Sequence, residues 1–205
     1  MPVIGIDFDH TLVDYDAVLY RLARQRGLLG PRGPRGKKAI RDAIRRRPEG
    51  ERQWQQVQAV LYSTAIAQAR PSAGVAAFLA ACRRQGVEVY IVSHKTRVAP
   101  GDAAQTDLHA AAFAWLRAQG FLAPGGVGLR EADVFFEPSR EAKLARIAAL
   151  GCTHFIDDLP EALLAPAFPP QVERLLYDPH RAYRLAPPVR TFRSWSAIHA
   201  YFFGR

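Results

Sequence analysis

Val3-Ile4-Gly5-Ile6-Asp7-Phe8-Asp9-His10-Thr11 opens the chain with an apolar, β-branched run that ends in two acids. Unbroken apolarity, rather than alternation, is what a strand buried on both faces of a parallel sheet needs. The acids mark the carboxyl end of that strand, where open parallel sheets bind ligands. The same pattern recurs along the chain. Val87-Glu88-Val89-Tyr90-Ile91-Val92 is a second buried strand, followed by Ser93-His94-Lys95. Val134-Phe135-Phe136 is a short third, after which Ser139 caps a helix carrying Lys143, Leu144, Ile147 and Leu150. His154-Phe155-Ile156 ends in Asp157-Asp158, and residues 172–177 make a fifth strand. Helices are expected from Ser72 as N-cap to Gly86, near 105–119, and over 195–203, with loops after Lys95 and over 122–130. Strands alternating with helices predict right-handed crossovers. The fold class is therefore α/β: a three-layer, Rossmann-like, mostly parallel sheet.

Residues 14–72 interrupt that alternation. Val13, Val18, Leu19 and Leu22 fall at helical spacing. Gly30-Pro31-Arg32-Gly33-Pro34-Arg35-Gly36 is a turn-rich loop, and helices follow over 37–47 and 51–69. The domains read as an α/β core over 1–13 and 73–205 and a helical insertion after the first strand over 14–72. The insertion holds 13 Lys+Arg against 5 Asp+Glu, nearly all of the chain's net +9. A concentrated positive field attracts phosphates, nucleotides or nucleic acid, whereas a solvated helix face carries the same charge with no partner.

Composition excludes several classes. The chain has 205 residues, 49% hydrophobic and 23% charged, which rules out global disorder. Two cysteines, Cys82 and Cys152, make neither a disulfide framework nor a thiolate metal cluster. No apolar run approaches a membrane span and nothing at the start marks secretion, so a cytoplasmic protein without a membrane partner is expected.

The chemistry gathers at the strand ends. Asp7, Asp9, Asp157 and Asp158, brought together, cannot all stay ionised without a cation. A hard divalent ion such as Mg²⁺, held by oxygen ligands and a substrate phosphate, resolves the repulsion. Ser93 and Lys143 then supply a hydroxyl and a point charge for that phosphate. Asp7 can attack phosphorus and form an acyl phosphate, and Asp9 can protonate the leaving oxygen and later deprotonate water.

These residues, in this order, resemble the haloacid dehalogenase-like superfamily of phosphatases and phosphotransferases over residues 1–13 and 73–178. Asp7-Phe8-Asp9-His10-Thr11 matches the family's D-x-D-x-T motif, Ser93 its second motif, Lys143 its third, and Asp157-Asp158 its acidic fourth. The resemblance implies that Asp7 is nucleophile and Mg²⁺ ligand. It implies that Asp9 is general acid and base and a ligand through its backbone carbonyl, and that Asp158 completes the metal site with Asp157 beside it. Ser93 and Lys143, with His94, would hold the phosphoryl group. It also implies that the insertion is a cap that closes over the site and chooses the substrate.

Two departures stand out. His10 occupies a position where glycine is usual, and Lys95 puts a second lysine near the phosphate. Both are candidate substrate contacts, and Lys95 rivals Lys143 as the phosphate clamp. Tyr20, Arg21, Arg24, Trp54 and Gln58 are candidate contacts from the insertion, although packing core is the favoured reading of Trp54. The expected partner is a small phosphorylated metabolite, a nucleotide or sugar phosphate. Nucleic-acid end processing is less favoured, because the basic residues lack interleaved aromatics. A binding protein that kept the fold without catalysis is the remaining alternative.

Overall fold

A computed structural model describes residues 1–99, 105–123 and 125–204; part of the loop expected after Lys95, and residue 124 of the loop over 122–130, lie outside them. The core is a six-stranded, all-parallel sheet built from β1 (Val3–Ile6), β4 (Glu88–His94), β5 (Val134–Glu137), β6 (His154–Asp157), β7 (Glu173–Tyr177) and β8 (Val189–Phe192). Their order across the sheet is β5-β4-β1-β6-β7-β8. The chain moves outward from β1 on one side, then returns to lay β6 against its other edge. That reversal is a topological switch point, and it lies between β1 and β6.

Two antiparallel residues each, β2 (Val13–Asp14) and β3 (Arg70–Pro71), pair at the base of the insertion. Between them run α1 (Asp16–Gln25), α2 (Lys37–Arg45), α3 (Gly50–Tyr62) and a short 3₁₀ turn. The core helices are α4 (Val75–Arg84), α5 (Leu108–Ala118), α6 (Arg140–Ala149), α7 (Pro160–Leu163) and α8 (Trp195–Phe203). No helix among the described residues is long and apolar enough to cross a membrane.

The sheet buries both faces. On one, Ile4, Ile6 and Phe8 pack with Val75, Phe78, Trp115 and Trp195. Val18, Leu19, Ile40, Ile44, Trp54, Val57 and Leu61 of the insertion belong to that same continuous core. On the other face, Val92, Phe155 and Leu176 pack with Leu144, Ile147 and Leu163.

Several local expectations need correction. Ser72 is not an N-cap: α4 starts after Gly74, and no side chain caps it. β4 runs two residues further than its apolar stretch, so Ser93 and His94 sit in the strand. The Pro-rich stretch before α8 contains β8, an edge strand with one neighbour and only Val189 fully buried. An edge strand needs no long apolar run, and this one shows none.

Gly5 is fixed by close approach. It stands opposite Phe155 in the β1–β6 register, and a Cβ there would lie 2.5 Å from the Phe155 ring and 3.2 Å from Cys152 Sγ. Gly5→Ala should therefore destabilise the protein by about 1–3 kcal/mol, the usual cost of overpacking a core. Adding Phe155→Leu should recover part of the loss. Urea unfolding of the single and double variants checks this; an unchanged midpoint for Gly5→Ala would contradict it.

Candidate active site

The switch point gathers the acids. Asp7 follows β1, Asp157 closes β6, and Asp158 follows it. One carboxylate oxygen from each of the three lies within 4.8 Å of the others. Asp7 is buried, and its Oδ1 accepts hydrogen bonds from Ser93 Oγ at 2.9 Å and Lys143 Nζ at 2.6 Å. Lys143 Nζ also donates to Asp157 Oδ2 at 2.7 Å. Ser139 makes this reach possible. Its side chain accepts from the Ala142 amide and starts α6, which places Lys143 one turn in, facing the strand ends. Burial alone would lower the Lys143 pKa, but Asp157 and Asp7 together raise it above the ordinary lysine value. Burial pushes the Asp157 carboxyl up, against the pull of Lys143.

Asp9 has its own partners. Tyr15 Oη donates to its Oδ1 at 2.7 Å, and Lys95 Nζ lies 2.8 Å from its Oδ2, an ion pair without an aligned hydrogen bond. The Lys95 ammonium sits 4.9 Å from the centre of the Tyr62 ring and 5.5 Å from that of Phe8. Burial, then the Asp9 charge, raises the Tyr15 pKa well above the phenol value, so its proton stays on. Lys95 thus serves Asp9, and Lys143 serves Asp7 and Asp157.

Asp158 pairs with the insertion. Lys37 Nζ, at the start of α2, donates to Asp158 Oδ2 at 2.7 Å, while Asp158 Oδ1 is buried without a hydrogen-bond partner. Burial pushes the Asp158 carboxyl up to about 7, aided by Asp157 and Asp7 and opposed by Lys37.

Over these groups lies a chamber of about 610 Å³. Its floor includes Asp7, Asp9, Ser93, His94, Lys95 and Lys143, and its roof Lys37, Arg41, Arg45, Trp54, Gln55, Gln58 and Tyr62. Trp54 is both core, at 2% exposure, and chamber wall, so its two readings are compatible.

Arg21 and Arg24 do not reach this chamber. They project from the outer face of α1, opposite buried Val18, Leu19 and Ala23, and Arg21 hydrogen-bonds Gln68 instead. Tyr20 is turned away too: its hydroxyl donates to the Pro31 carbonyl and Arg35 stacks on its ring. His10 adopts φ +64°, the left-handed region that favours glycine, and its Nε2 lies 3.2 Å from Tyr62 Oη. Burial, then Lys37 and Lys95, keep its imidazole pKa well below the usual value. It lines a second cavity rather than the chamber. Sequence reading missed Lys37, Arg41, Tyr15 and Tyr62. The +8 of the insertion signalled cations near the site without saying which ones face it.

No family model matches the chain, and no curated protein matches it. Solved structures do match its fold. A haloacid dehalogenase-family hydrolase from Bacillus subtilis bound to magnesium shares 14% identity over 98% of each chain, with a TM-score of 0.55. One from Deinococcus radiodurans with bound phosphate and sodium shares 14% identity over 98% of this chain and 95% of that one, at 0.53. A predicted phosphoglycolate phosphatase from Haemophilus somnus shares 14% over 98% of each, at 0.52. A dehalogenase has the same fold. The architecture is thus that of the haloacid dehalogenase-like hydrolases.

Removing the Lys143 charge would leave Asp7 and Asp157 buried against each other. Lys143→Met should cost about 3–5 kcal/mol of stability, the scale for breaking a buried ion pair from one side. Adding Asp157→Asn should return part of it. Denaturant unfolding at neutral pH measures both, and a Lys143→Met protein as stable as wild type would overturn the pairing.

Proposed function

We propose that the protein is a divalent-cation-dependent phosphomonoester hydrolase of the haloacid dehalogenase-like kind. Its substrate is a small phosphorylated metabolite, such as a nucleotide or sugar phosphate, and its intermediate an aspartyl phosphate on Asp7. One observation carries the reading above the others: Ser93 Oγ and Lys143 Nζ converge on Asp7 Oδ1 at the switch point of the sheet. A phosphoryl group arriving at that oxygen meets a hydroxyl and an ammonium already aimed at it.

The donor set fits a hard cation. All three clustered groups are carboxylates, and Asp158 Oδ1 is a buried oxygen with no partner. Both Asp157 oxygens are engaged, by Lys143 and by the Leu159 amide, so Asp158 is the freer ligand and Asp157 its neighbour. When bound, Mg²⁺ would offset the carboxylate charge and polarise the phosphoryl oxygens. The chain's own residues do the rest. The Asp7 carboxylate attacks phosphorus, the ester P–O bond breaks, and Asp9 gives its proton to the leaving oxygen. Water then attacks the phosphorus, Asp9 takes its proton, and the bond to Asp7 breaks to release phosphate. Tyr15 and Lys95 hold Asp9 in place.

Residues 14–72 are the cap of this enzyme, over a core of 1–13 and 73–205. A roofed chamber of about 610 Å³ is of the size that small ligands occupy, which supports a metabolite over a nucleic-acid end. Two free, buried thiols, Cys82 and Cys152, are in keeping with a cytoplasmic setting.

Asp7→Asn should lower phosphate release by at least roughly three orders of magnitude, the scale for loss of a catalytic nucleophile. EDTA should abolish wild-type release and Mg²⁺ restore it. A phosphate-release screen over phosphorylated metabolites, with halide release from 2-haloacids in parallel, is the test. Halide without phosphate would make the protein a dehalogenase, and neither product would favour a non-catalytic binding protein.

The roof gives a second expectation. Arg41→Gln with Arg45→Gln should lower kcat/KM about tenfold, near 1.4 kcal/mol, with kcat within twofold. Arg21→Gln with Arg24→Gln should leave both constants within twofold. Steady-state kinetics on the best substrate compares the pairs, and equal effects would remove Arg41 and Arg45 from the chamber's function.

A further inference from the structure

Lys37 stands where local rules would not put a lysine. It and Lys38 occupy the first turn of α2, the positive end of a helix, with no acid in that turn. The helix starts at Gly36, with φ +79° and no side-chain cap, and a Cβ there would lie 2.9 Å from the His180 ring. Lys38 finds relief one turn on, 2.6 Å from Asp42. Lys37 instead crosses to the core and meets Asp158 at 2.7 Å, with its side chain 16% exposed. Asp158 lies in the three-carboxylate cluster and still carries an orphan buried oxygen.

The same pair forms a wall. Lys37 and Asp158 both line the chamber and both line a second cavity of about 650 Å³, which runs past His10, Asp178 and Arg193. Moving Lys37 aside would join that second cavity to the acids from behind the substrate side.

From these observations we infer that Lys37 is an internal cation that competes with the divalent ion for Asp158, and that its displacement couples ion binding to the position of α2. The inference rests on the cation-binding reading of the site above. An ammonium and a divalent ion on one carboxylate repel each other at ion-pair distance, so each weakens the other's hold. By linkage, an ion that favours the state with Lys37 released loosens the contact between insertion and core, and a variant without the ammonium binds the ion more tightly.

The test titrates Mg²⁺ into the full-length protein by calorimetry and follows amide hydrogen exchange over residues 37–45. Lys37→Met should bind Mg²⁺ at least tenfold more tightly than wild type, with Lys37→Gln doing the same and standing in for it if the methionine variant folds poorly. Lys37→Arg, which keeps the charge, and Lys38→Met, whose lysine faces Asp42, should stay within twofold of wild type. Exchange over 37–45 should quicken when Mg²⁺ is added to wild type and not change in Lys37→Met. Affinity within twofold of wild type in both Lys37 variants, or weaker binding, would overturn the competition, and unchanged exchange in wild type would overturn the coupling. Uptake of neither Mg²⁺ nor Mn²⁺ by any of these proteins would overturn the cation reading of the site itself, and the competition with it.

Discussion

An ammonium held between two buried carboxylates is the interaction on which the site depends. Asp7 and Asp157 close adjacent parallel strands, and the register that pairs Ile6 with Ile156 brings their side chains together. Two buried like charges would otherwise force one to take a proton. Lys143 answers both, at 2.6 and 2.7 Å, and the helix capped by Ser139 delivers it. Leu144 and Ile147 of that helix then fix it to the sheet face. Phe155 completes the support. Its ring lies 5.1 Å from the Lys143 ammonium and fills the space left by the missing side chain of Gly5. One glycine in the first strand therefore reaches the acid cluster through a ring and a lysine.

The parallel sheet was legible because burial on both faces writes itself as unbroken apolar runs, and each run that mattered ended in a polar residue. Where burial was partial, the signal vanished. β8 exposes Arg190 and Thr191 and has one neighbour, and β2 and β3 are two residues each. Asp7, Asp9, Ser93, Lys143, Asp157 and Asp158 come together because each sits at or just beyond the carboxyl end of a strand, or in the first turn of a helix, whose direction was known. The insertion offered no such frame. Its helices were visible, but which face of each looks down on the site depends on how three helices pack together. Arg21 and Arg24 lie on the free side of α1, whereas Arg41 and Arg45 lie over the chamber. The Lys37–Asp158 contact joins residues 121 positions apart, and nothing local to either announces it.

One trace of it was present in the composition. The chain uses 24 arginines and only 4 lysines. Three of those four lysines, Lys37, Lys95 and Lys143, pair with acids of the site, and the fourth is the neighbour of the first. A guanidinium is broad, planar and forked, suited to open surfaces and to bidentate partners. Phe155 flanks the lysine beside Asp7, and Tyr62 and Phe8 flank the one beside Asp9. An ammonium is a compact point charge on a flexible stem and needs less room between such rings than a guanidinium. Lys37 joins them at Asp158, although it comes from the insertion and they come from the core. The acids at the strand ends thus draw cations from three separate elements, one of which is the roof of the chamber.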